Sequence, residues 1–328
     1  MNAALLEIDN LSIAIDRPGG AGLPLLTDIS LQLGRGETLG IVGESGSGKS
    51  LLALGVIGLL PEGIGSSGSI RLDGTELLPL ADDDLCKVRG RRIGMIFQEP
   101  MTALNPVMKV GDQIAEGIVW HRGVGWCDAR RDAVRLLDQV RIPDAAIRAK
   151  SYPHELSGGQ RQRVGIAIAL ASKPDLLIAD EPTTALDVSV QKEILEILDE
   201  HVRNDGMALM LVSHDLGVIA ASCRRTMVLY AGARMEEGLT EEVLSDPRSP
   251  YTRGLLAALP QRRIGDRRLA AIPGNVPGFA ALPPGCRFSD RCPDRIERCQ
   301  TELPAWRSFG NGRGVRCIRA ETAASEAG

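Results

Sequence analysis

The chain has 328 residues, of which 44% are hydrophobic and 24% are charged, and its formal net charge is −4. This balance is typical of a folded globular protein and excludes the strongly basic and the disordered, charge-rich classes. Aromatic side chains make up 3% of the residues, which argues against a platform that stacks bases, so we expect no nucleic-acid partner.

The first residues do not have the pattern of a secretory signal peptide. The stretch from Asn2 to Asn10 mixes polar and apolar residues and carries two acidic side chains. The longest apolar stretches, 51–60 and 164–171, are shorter than the roughly 20 residues that a membrane-spanning helix requires. We therefore expect a chain that does not itself cross a membrane.

The N-terminal part has the pattern of β-structure. Residues 5–8 and 11–15 alternate between apolar and polar side chains, which predicts two antiparallel strands before a turn at Pro18. Residues 69–74 predict another piece of a hairpin. Together these stretches predict an antiparallel β subdomain.

A phosphate-binding motif lies between two apolar stretches. A short stretch at 38–42 is typical of a buried strand, and the stretch 51–60 has a helical composition and ends before Pro61. Between a strand and a helix, such a loop directs backbone N–H groups and the helix N-terminus toward phosphate oxygens. Its lysine reaches the β- and γ-phosphates, and its last hydroxyl binds Mg²⁺, so we predict a nucleotide site. The motif residues are Gly43, Glu44, Ser45, Gly46, Ser47, Gly48, Lys49 and Ser50.

The middle of the chain, from about residue 99 to 173, is mainly helical in composition. The clearest helices are predicted at 128–140 and 160–171. We interpret this segment as a helical insertion within a larger domain.

After the insertion, strands return. Apolar strands are predicted at 175–179 and 207–212, with an amphipathic helix between them at 190–202. Strands that alternate with helices around a phosphate loop predict an α/β domain with a parallel core sheet. Because the periodicity fades near residue 260, we predict a domain at 1–260 and a C-terminal extension at 261–328.

Polar residues follow several of the predicted strands. After the strand at 175–179, Asp180 is placed to hold Mg²⁺ and Glu181 to polarise the attacking water. Gln98 follows a strand and is placed to contact Mg²⁺ and water, and His214 follows another and is placed to donate to the γ-phosphate. Each residue taken singly also fits a structural role at a strand end, so the prediction depends on their combination.

A second anion-binding segment is predicted before the helix at 160–171. Ser157 is a favourable cap for that helix, and the glycines after it leave the first N–H groups of the helix accessible. An ordinary capped helix has the same pattern. The residues of this segment are Ser157, Gly158, Gly159 and Gln160.

In this order, over about residues 5–260, the segments resemble those of the ATP-binding subunits of ABC transporters. The resemblance implies a P-loop NTPase fold of the ABC ATPase type that binds ATP and Mg²⁺ and hydrolyses ATP. By the same resemblance, the Walker A loop is 43–50, the Q-loop residue is Gln98, the signature sequence is 156–160, the Walker B strand is 176–180, the catalytic carboxylate is Glu181, the D-loop aspartate is Asp187 and the switch histidine is His214.

The family resemblance also implies partners. Two such subunits pack head to tail, and each ATP lies between the Walker A loop of one chain and the signature sequence of the other. The branch favours a related second subunit over an identical copy. Two membrane permease subunits, and through them an extracytoplasmic solute-binding protein, are the remaining partners. These partners place the chain on the cytoplasmic face of the inner membrane as a peripheral subunit.

Two stretches resemble the dipeptide, oligopeptide and nickel importer branch in particular. They are 98–106 and 246–256. Peptide import is the function that this branch favours, with nickel or another small solute as the alternative. A soluble ABC ATPase of DNA repair or translation is disfavoured because the chain has no long coiled-coil insertion and one cassette only. Where the family stacks adenine on an aromatic side chain, this sequence has Ile15.

The cysteines near the C-terminus are grouped. Four of the seven cysteines of the chain lie beyond residue 285, whereas Cys86, Cys127 and Cys223 are scattered. By resemblance to some members of the branch, the group predicts a [4Fe–4S] cluster, with zinc or reduced thiols as alternatives. The four cysteines are Cys286, Cys292, Cys299 and Cys317, and the arginines that would offset the charge of the cluster are Arg287, Arg291, Arg295 and Arg298.

Overall fold

The structure is a computed structural model that describes residues 4–17, 22–98, 104–184, 186–259 and 271–322. The chain forms two compact units. The first unit contains the chain up to Leu6, Leu33–Thr38 and Leu72–Leu211. The second unit contains Glu7–Gln32, Leu39–Arg71 and the chain from Val212 onward.

Twelve strands occur in the described part of the chain. They are β1 (Ala4–Ile15), β2 (Leu23–Gly34), β3 (Thr38–Val42), β4 (Ile64–Leu72), β5 (Thr75–Glu76), β6 (Ile93–Ile96), β7 (Leu176–Asp180), β8 (Ala208–Ser213), β9 (Arg225–Tyr230), β10 (Ala233–Leu239), β11 (Arg307–Gly310) and β12 (Arg313–Val315).

The described α-helices range from one turn to five turns. They are α1 (Lys49–Val56), α2 (Asp82–Val88), α3 (Val110–Arg122), α4 (Trp126–Gln139), α5 (Ala145–Arg148), α6 (Gly158–Leu170), α7 (Val188–Asp205), α8 (Leu216–Ser222), α9 (Thr240–Ser245), α10 (Pro250–Ala257), α11 (Arg298–Thr301) and α12 (Arg319–Thr322). Short 3₁₀ helices occur at Pro153–Glu155, Phe279–Ala281 and Ser289–Arg291.

The first unit has a parallel strand pair covered by helices. Strand β6 pairs in parallel with β7, and β7 neighbours β8. Every residue of β7 is buried, as expected of a strand that is covered on both faces. Helices α3, α4 and α6 pack against one another, and α6 also packs on β6. The predicted helices of the insertion and the predicted buried strand are therefore present.

The second unit contains a mixed sheet with the strand order β4-β1-β2-β10-β9-β3. Strand β3 pairs in parallel with β9, whereas β9 and β10 are antiparallel. Near the C-terminus, β12 pairs antiparallel with β10, and β11 pairs with β12. Residues beyond 300 thus add strands to the sheet that holds the strand before the phosphate motif.

Two predicted elements differ from the structure. Residues 5–8 and 11–15 form one continuous strand instead of two, because the neighbouring strands β4 and β2 hold β1 in the sheet. Within this strand, Asn10 takes a φ of 49° and its N–H donates to Ser30 Oγ at 2.9 Å. Helix α1 ends at Val56 and does not reach residue 60, because Gly58 adopts a left-handed φ of 65°. The predicted turn residues 18–20 lie outside the described part of the chain.

Candidate functional site

The phosphate motif forms a loop between β3 and α1 in the second unit. Gly48 is the N-terminal cap residue of α1, with a φ of 100°, and a Cβ there would lie 2.4 Å from Leu26 Cδ2. A Cβ on Gly43 would lie 2.2 Å from the carbonyl oxygen of Leu229. Both positions therefore require glycine, and the loop keeps the shape that lets its N–H groups and the start of α1 face an anion.

The side chain of Lys49 folds over the phosphate loop and contacts its backbone. Its ammonium donates to the carbonyl oxygens of Gly43 at 2.8 Å and Glu44 at 3.1 Å, and the residue is 6% exposed. The Ser47 hydroxyl is buried without a hydrogen-bond partner among the described residues. A loop with a buried cation, an unsatisfied hydroxyl and accessible N–H groups fits the phosphates of a nucleotide, and Ser50 beside Lys49 fits Mg²⁺.

Residues far away in the sequence hold Glu44 in this loop. The Glu44 N–H donates to the hydroxyl of Tyr251 at 2.9 Å. Arg291 donates to both oxygens of the Glu44 carboxylate, at 2.7 and 2.9 Å. The carboxylate raises the pKa of Arg291, and burial raises the pKa of the Tyr251 hydroxyl. Sequence reasoning missed these contacts because no local pattern of residues indicates which distant side chains will meet Glu44.

In the first unit, Gln98 and Glu181 lie together. Gln98 follows β6, Glu181 follows β7, and the Gln98 amide donates to Glu181 Oε2 at 3.4 Å. The Thr184 hydroxyl donates to the same oxygen at 2.8 Å. Glu181 takes a left-handed φ of 48°, a conformation that costs a non-glycine residue about 1–3 kcal/mol and is frequent at functional sites. Asp180, the preceding residue, is 4% exposed.

The predicted cap of α6 is present. The Gln160 N–H donates to Ser157 Oγ at 3.3 Å, and the Ser157 N–H donates to Gln160 Oε1 at 3.0 Å, which is a capping box. A Cβ on Gly158 would meet open space, whereas one on Gly159 would lie 3.2 Å from Val190. Ser157 and Gly158 are exposed, so the start of α6 is accessible to an anion from outside the chain.

Asp187 and His214 are exposed residues at element ends. Asp187 caps α7 by accepting from the Val190 N–H at 2.9 Å, and the hydrogen bond from Ser189 lowers the pKa of its carboxyl group. His214 directly follows β8 in the second unit. Residues 99–103, which follow Gln98, and residue 185, which belongs to the predicted D-loop, lie outside the described part of the chain.

The prediction of an iron–sulfur cluster is wrong. Cys286, Cys292, Cys299 and Cys317 line one small pocket with room for roughly one water molecule. Among the described residues, no group of three or more His, Cys, Asp or Glu side chains is placed to hold a metal ion. The cysteines are free thiols, and burial raises the pKa of Cys286 to about 12.

The arginines near these cysteines have other partners. Arg291 pairs with Glu44, and Arg287 donates to the Ala231 carbonyl oxygen and to Thr27 Oγ1, each at 2.8 Å. Arg298 pairs with Glu302 on the surface. Arg287 and Arg291 thus fasten the C-terminal segment to the rest of the second unit, and Arg298 makes a local surface pair.

No helix in the described ranges combines the length and the apolar character that crossing a lipid bilayer requires.

Two family models match the chain. The ABC transporter model matches residues 26–184. The model of the oligopeptide/dipeptide transporter C-terminal region matches residues 235–299. The two matches follow one another along the chain without overlap.

Curated relatives match almost the whole chain. The oligopeptide transport ATP-binding protein OppD of Salmonella typhimurium is 45% identical over 96% of this chain and 93% of that protein. AppD of Bacillus subtilis, also named an oligopeptide transport ATP-binding protein, is 42% identical over 99% of each chain. The OppD of Mycobacterium tuberculosis is 48% identical over 97% of this chain, which spans 52% of that longer protein.

Solved structures share the fold. The dimeric ATP-binding cassette MJ0796, in a post-hydrolysis state bound to ADP and Pi, has a TM-score of 0.64 and 29% identity, over 72% of this chain and 98% of that one. The structure of cbiO1 from Clostridium perfringens, part of the ABC transporter complex cbiONQ, has a TM-score of 0.63 and 27% identity, over 74% and 91%. The predicted ABC ATPase fold and ATPase class are confirmed. This chain belongs to the ATP-binding proteins of ABC transporters, in the branch that carries the oligopeptide/dipeptide transporter C-terminal region.

Proposed function

We propose that this chain is the ATP-hydrolysing subunit of an ABC importer for di- and oligopeptides. The observation that carries the proposal is the identity of 45% over 96% of the chain to a protein named for oligopeptide transport. The match of residues 235–299 to the oligopeptide/dipeptide C-terminal region supports the same cargo class. Hydrolysis of ATP to ADP and phosphate would supply the energy of transport.

The phosphate loop provides the nucleotide site. The start of α1 and the backbone N–H groups of 43–50, except those of Glu44 and Ser47, bind the phosphates. Lys49 exchanges its two carbonyl partners for the β- and γ-phosphates. Ser50 and Asp180, with Gln98, would hold Mg²⁺. When bound, Mg²⁺ offsets the charge of the phosphate oxygens. Ile15 would contact the adenine by apolar packing in place of aromatic stacking.

Glu181 is the proposed general base. Its carboxylate would accept the proton of the attacking water. Gln98, which donates a hydrogen bond to this carboxylate, would orient it. The Thr184 hydroxyl fixes the same carboxylate oxygen. His214 would donate a hydrogen bond to the γ-phosphate. No other acid of the described chain both follows the buried strand β7 directly and contacts Gln98.

The exposed start of α6 is the proposed contact with a second subunit. Ser157, Gly158, Gly159 and Gln160 would face the γ-phosphate held by the partner's loop, and Asp187 would lie at the same interface. A related second ATPase subunit and two permease subunits would complete the importer, with an extracytoplasmic solute-binding protein that delivers the cargo. The chain would then lie on the cytoplasmic face of the inner membrane as a peripheral subunit.

Uptake of labelled di- and oligopeptides in cells that lack the gene tests this proposal. Wild type and Glu181→Gln are returned on matched plasmids, with Glu196→Gln, a surface carboxylate of α7, as the control. We expect wild type and the control to restore uptake and Glu181→Gln to fail. Labelled nickel is measured in parallel as the alternative cargo.

The outcomes separate the cargo from the motor role. Restored nickel uptake with unchanged peptide uptake would overturn the peptide assignment and keep the importer. Restoration by Glu181→Gln would overturn the role of Glu181 as the base. If neither cargo depends on the gene, the import role is wrong.

A further inference from the structure

Glu44 is an acidic residue in a loop that receives a polyanion. A carboxylate beside bound phosphates is unfavourable, because two negative groups that are partly shielded from water repel each other strongly. The Glu44 side chain is 29% exposed, so solvent screens its charge only in part. The loop therefore needs something that neutralises this carboxylate and turns it away from the phosphates.

Arg291 supplies that neutralisation from the C-terminal segment. Its side chain is 6% exposed and makes a bidentate ion pair with Glu44, at 2.7 and 2.9 Å. Bidentate pairs of this kind are strong and fix the orientation of both groups. The ion pair raises the pKa of Arg291, so the guanidinium stays charged across the physiological range.

Arg291 is itself held in place by three further contacts. Its Nε donates to the Pro273 carbonyl oxygen at 2.9 Å, and its other nitrogens donate to Ile272 O and Tyr230 Oη, each at 3.3 Å. The donors of the guanidinium are thus used on the segment around 272 and on β9 as well as on Glu44. The position of Arg291 is therefore set before any nucleotide arrives.

The backbone of Glu44 is fixed at the same time. Its N–H donates to Tyr251 Oη at 2.9 Å, and its carbonyl oxygen accepts from Lys49 at 3.1 Å. Tyr251 is fully buried and packs against Tyr230 and Phe288, with ring centroids 4.6 and 5.2 Å away. The backbone of this one loop residue thus connects the cation of the nucleotide site to an aromatic cluster that includes Phe288 of the C-terminal segment.

We propose that Arg291 is a positioning residue for the phosphate loop. Its guanidinium holds the Glu44 carboxylate away from the bound nucleotide. The C-terminal segment then takes part in nucleotide binding without touching the nucleotide. This inference rests on the proposed ATP site at 43–50. It predicts that the segment raises the affinity of the chain for MgATP, while the chemical step depends on other residues.

Equilibrium binding of MgATP to the purified full chain tests the inference. The variants are Arg291→Gln, Glu44→Gln, their double variant and Arg291→Lys. Arg298→Gln is the matched control, because Arg298 lies in the same segment but pairs with Glu302 on the surface. Each Kd is measured at low and at high salt, and kcat is measured at saturating MgATP.

We expect Arg291→Gln to raise the Kd on the order of tenfold, with kcat changed by less than about twofold. The loss should shrink at high salt, because salt screens repulsion between Glu44 and the phosphates. The double variant should bind nearly as well as Glu44→Gln alone, since no carboxylate remains to be neutralised. Arg291→Lys should lie between wild type and Arg291→Gln, and the control should match wild type.

A merely structural role of Arg291 gives a different result. It would raise the Kd equally at low and high salt and leave the double variant as weak as Arg291→Gln, and either observation overturns the inference. Lys49→Ala separates this failure from a failure of the ATP site itself. If Lys49→Ala abolishes binding while Arg291→Gln binds as wild type does, the ATP site stands and the inference falls. If Lys49→Ala binds normally, the proposed site is wrong.

Discussion

The side-chain amide of Gln98 donates a hydrogen bond to the carboxylate of Glu181, although the two residues lie 83 positions apart in the chain. The contact arises because β6 and β7 are adjacent and parallel, so their carboxyl ends meet at the same edge. Gln98 thereby orients the carboxylate that we assign as the base. The two side chains are expected to act as one unit in hydrolysis.

Glu181→Gln should therefore bind MgATP with little loss while its turnover falls on the order of 10²–10⁴-fold, since a positioned base contributes about that factor. Gln98→Ala should lower turnover by a smaller factor. The double variant should be no slower than Glu181→Gln alone, because residues that act as a unit lose activity non-additively. Phosphate release by the four forms measures this cycle.

The control for this cycle is Glu196→Gln, which should hydrolyse ATP as wild type does. If the turnover of the double variant falls by the product of the two single losses, Gln98 acts independently of Glu181. With its base removed, Glu181→Gln in the presence of MgATP should also shift toward a dimer on gel filtration.

Asp175 stabilises the first unit through a cluster of charges at the start of β7. It accepts from Arg35 at 2.6 Å and from Arg92, and both arginines also contact Asp73. Burial alone would raise the pKa of Asp175, but the two arginines outweigh it and lower the pKa. Asp175→Asn should cost roughly 1 kcal/mol at neutral pH, given the partial exposure of these groups.

Urea unfolding of wild type and Asp175→Asn as a function of pH measures this effect. Because the folded-state pKa is lowered, the stabilisation is fully present above the unfolded value of about 3.9. It disappears as the pH falls through the lower folded value. Asp84→Asn, which removes an exposed pair with Lys87, should change stability little. A difference that persists undiminished in acid would show that the ion pairs are not its source.

The seven cysteines should differ sharply in their reaction with a thiol reagent at neutral pH. Cys86 and Cys127 are exposed, whereas burial raises the pKa values of Cys223 and Cys286 to about 12 and also raises those of Cys292 and Cys317. Since the thiolate is the reactive form, the exposed pair should label first and the buried thiols only after denaturation.

Mass spectrometry of labelled peptides checks this order. Replacing both exposed cysteines, by Cys86→Ala and Cys127→Ala, should remove the rapid part of the labelling reaction. Rapid labelling of Cys286 in the native chain would contradict the neutral thiol. Iron in stoichiometric amount in an anaerobic preparation would contradict the assignment of the four C-terminal cysteines as free thiols.

Several parts of the site could be read from local sequence. The phosphate loop lies between its own strand and helix, and the cap of α6 joins Ser157 to Gln160 three residues later. Such features depend on neighbours in the chain and on backbone conformations that glycine alone permits. Their local conformation could be predicted because the residues that produce it are contiguous in the chain.

Features that depend on contacts between distant residues cannot be read from the local sequence. The spacing of the four tail cysteines carries no information on how their side chains pack, and among the described residues no group of three or more His, Cys, Asp or Glu side chains is placed to hold a metal ion. Likewise, residues 11–15 continue the strand of residues 5–8, because β1 is held as one strand by its neighbours in the sheet.

By itself, the sequence determined the α/β class and the family, because strands and helices alternate along the chain and the family motifs are short runs of residues at their ends. Only the tertiary structure decided that Gln98 meets Glu181 and that Arg291 pairs with Glu44, 247 positions away. Packing of the sheet and of the aromatic cluster creates those contacts. Their energies depend on burial and geometry, which no local pattern of residues records.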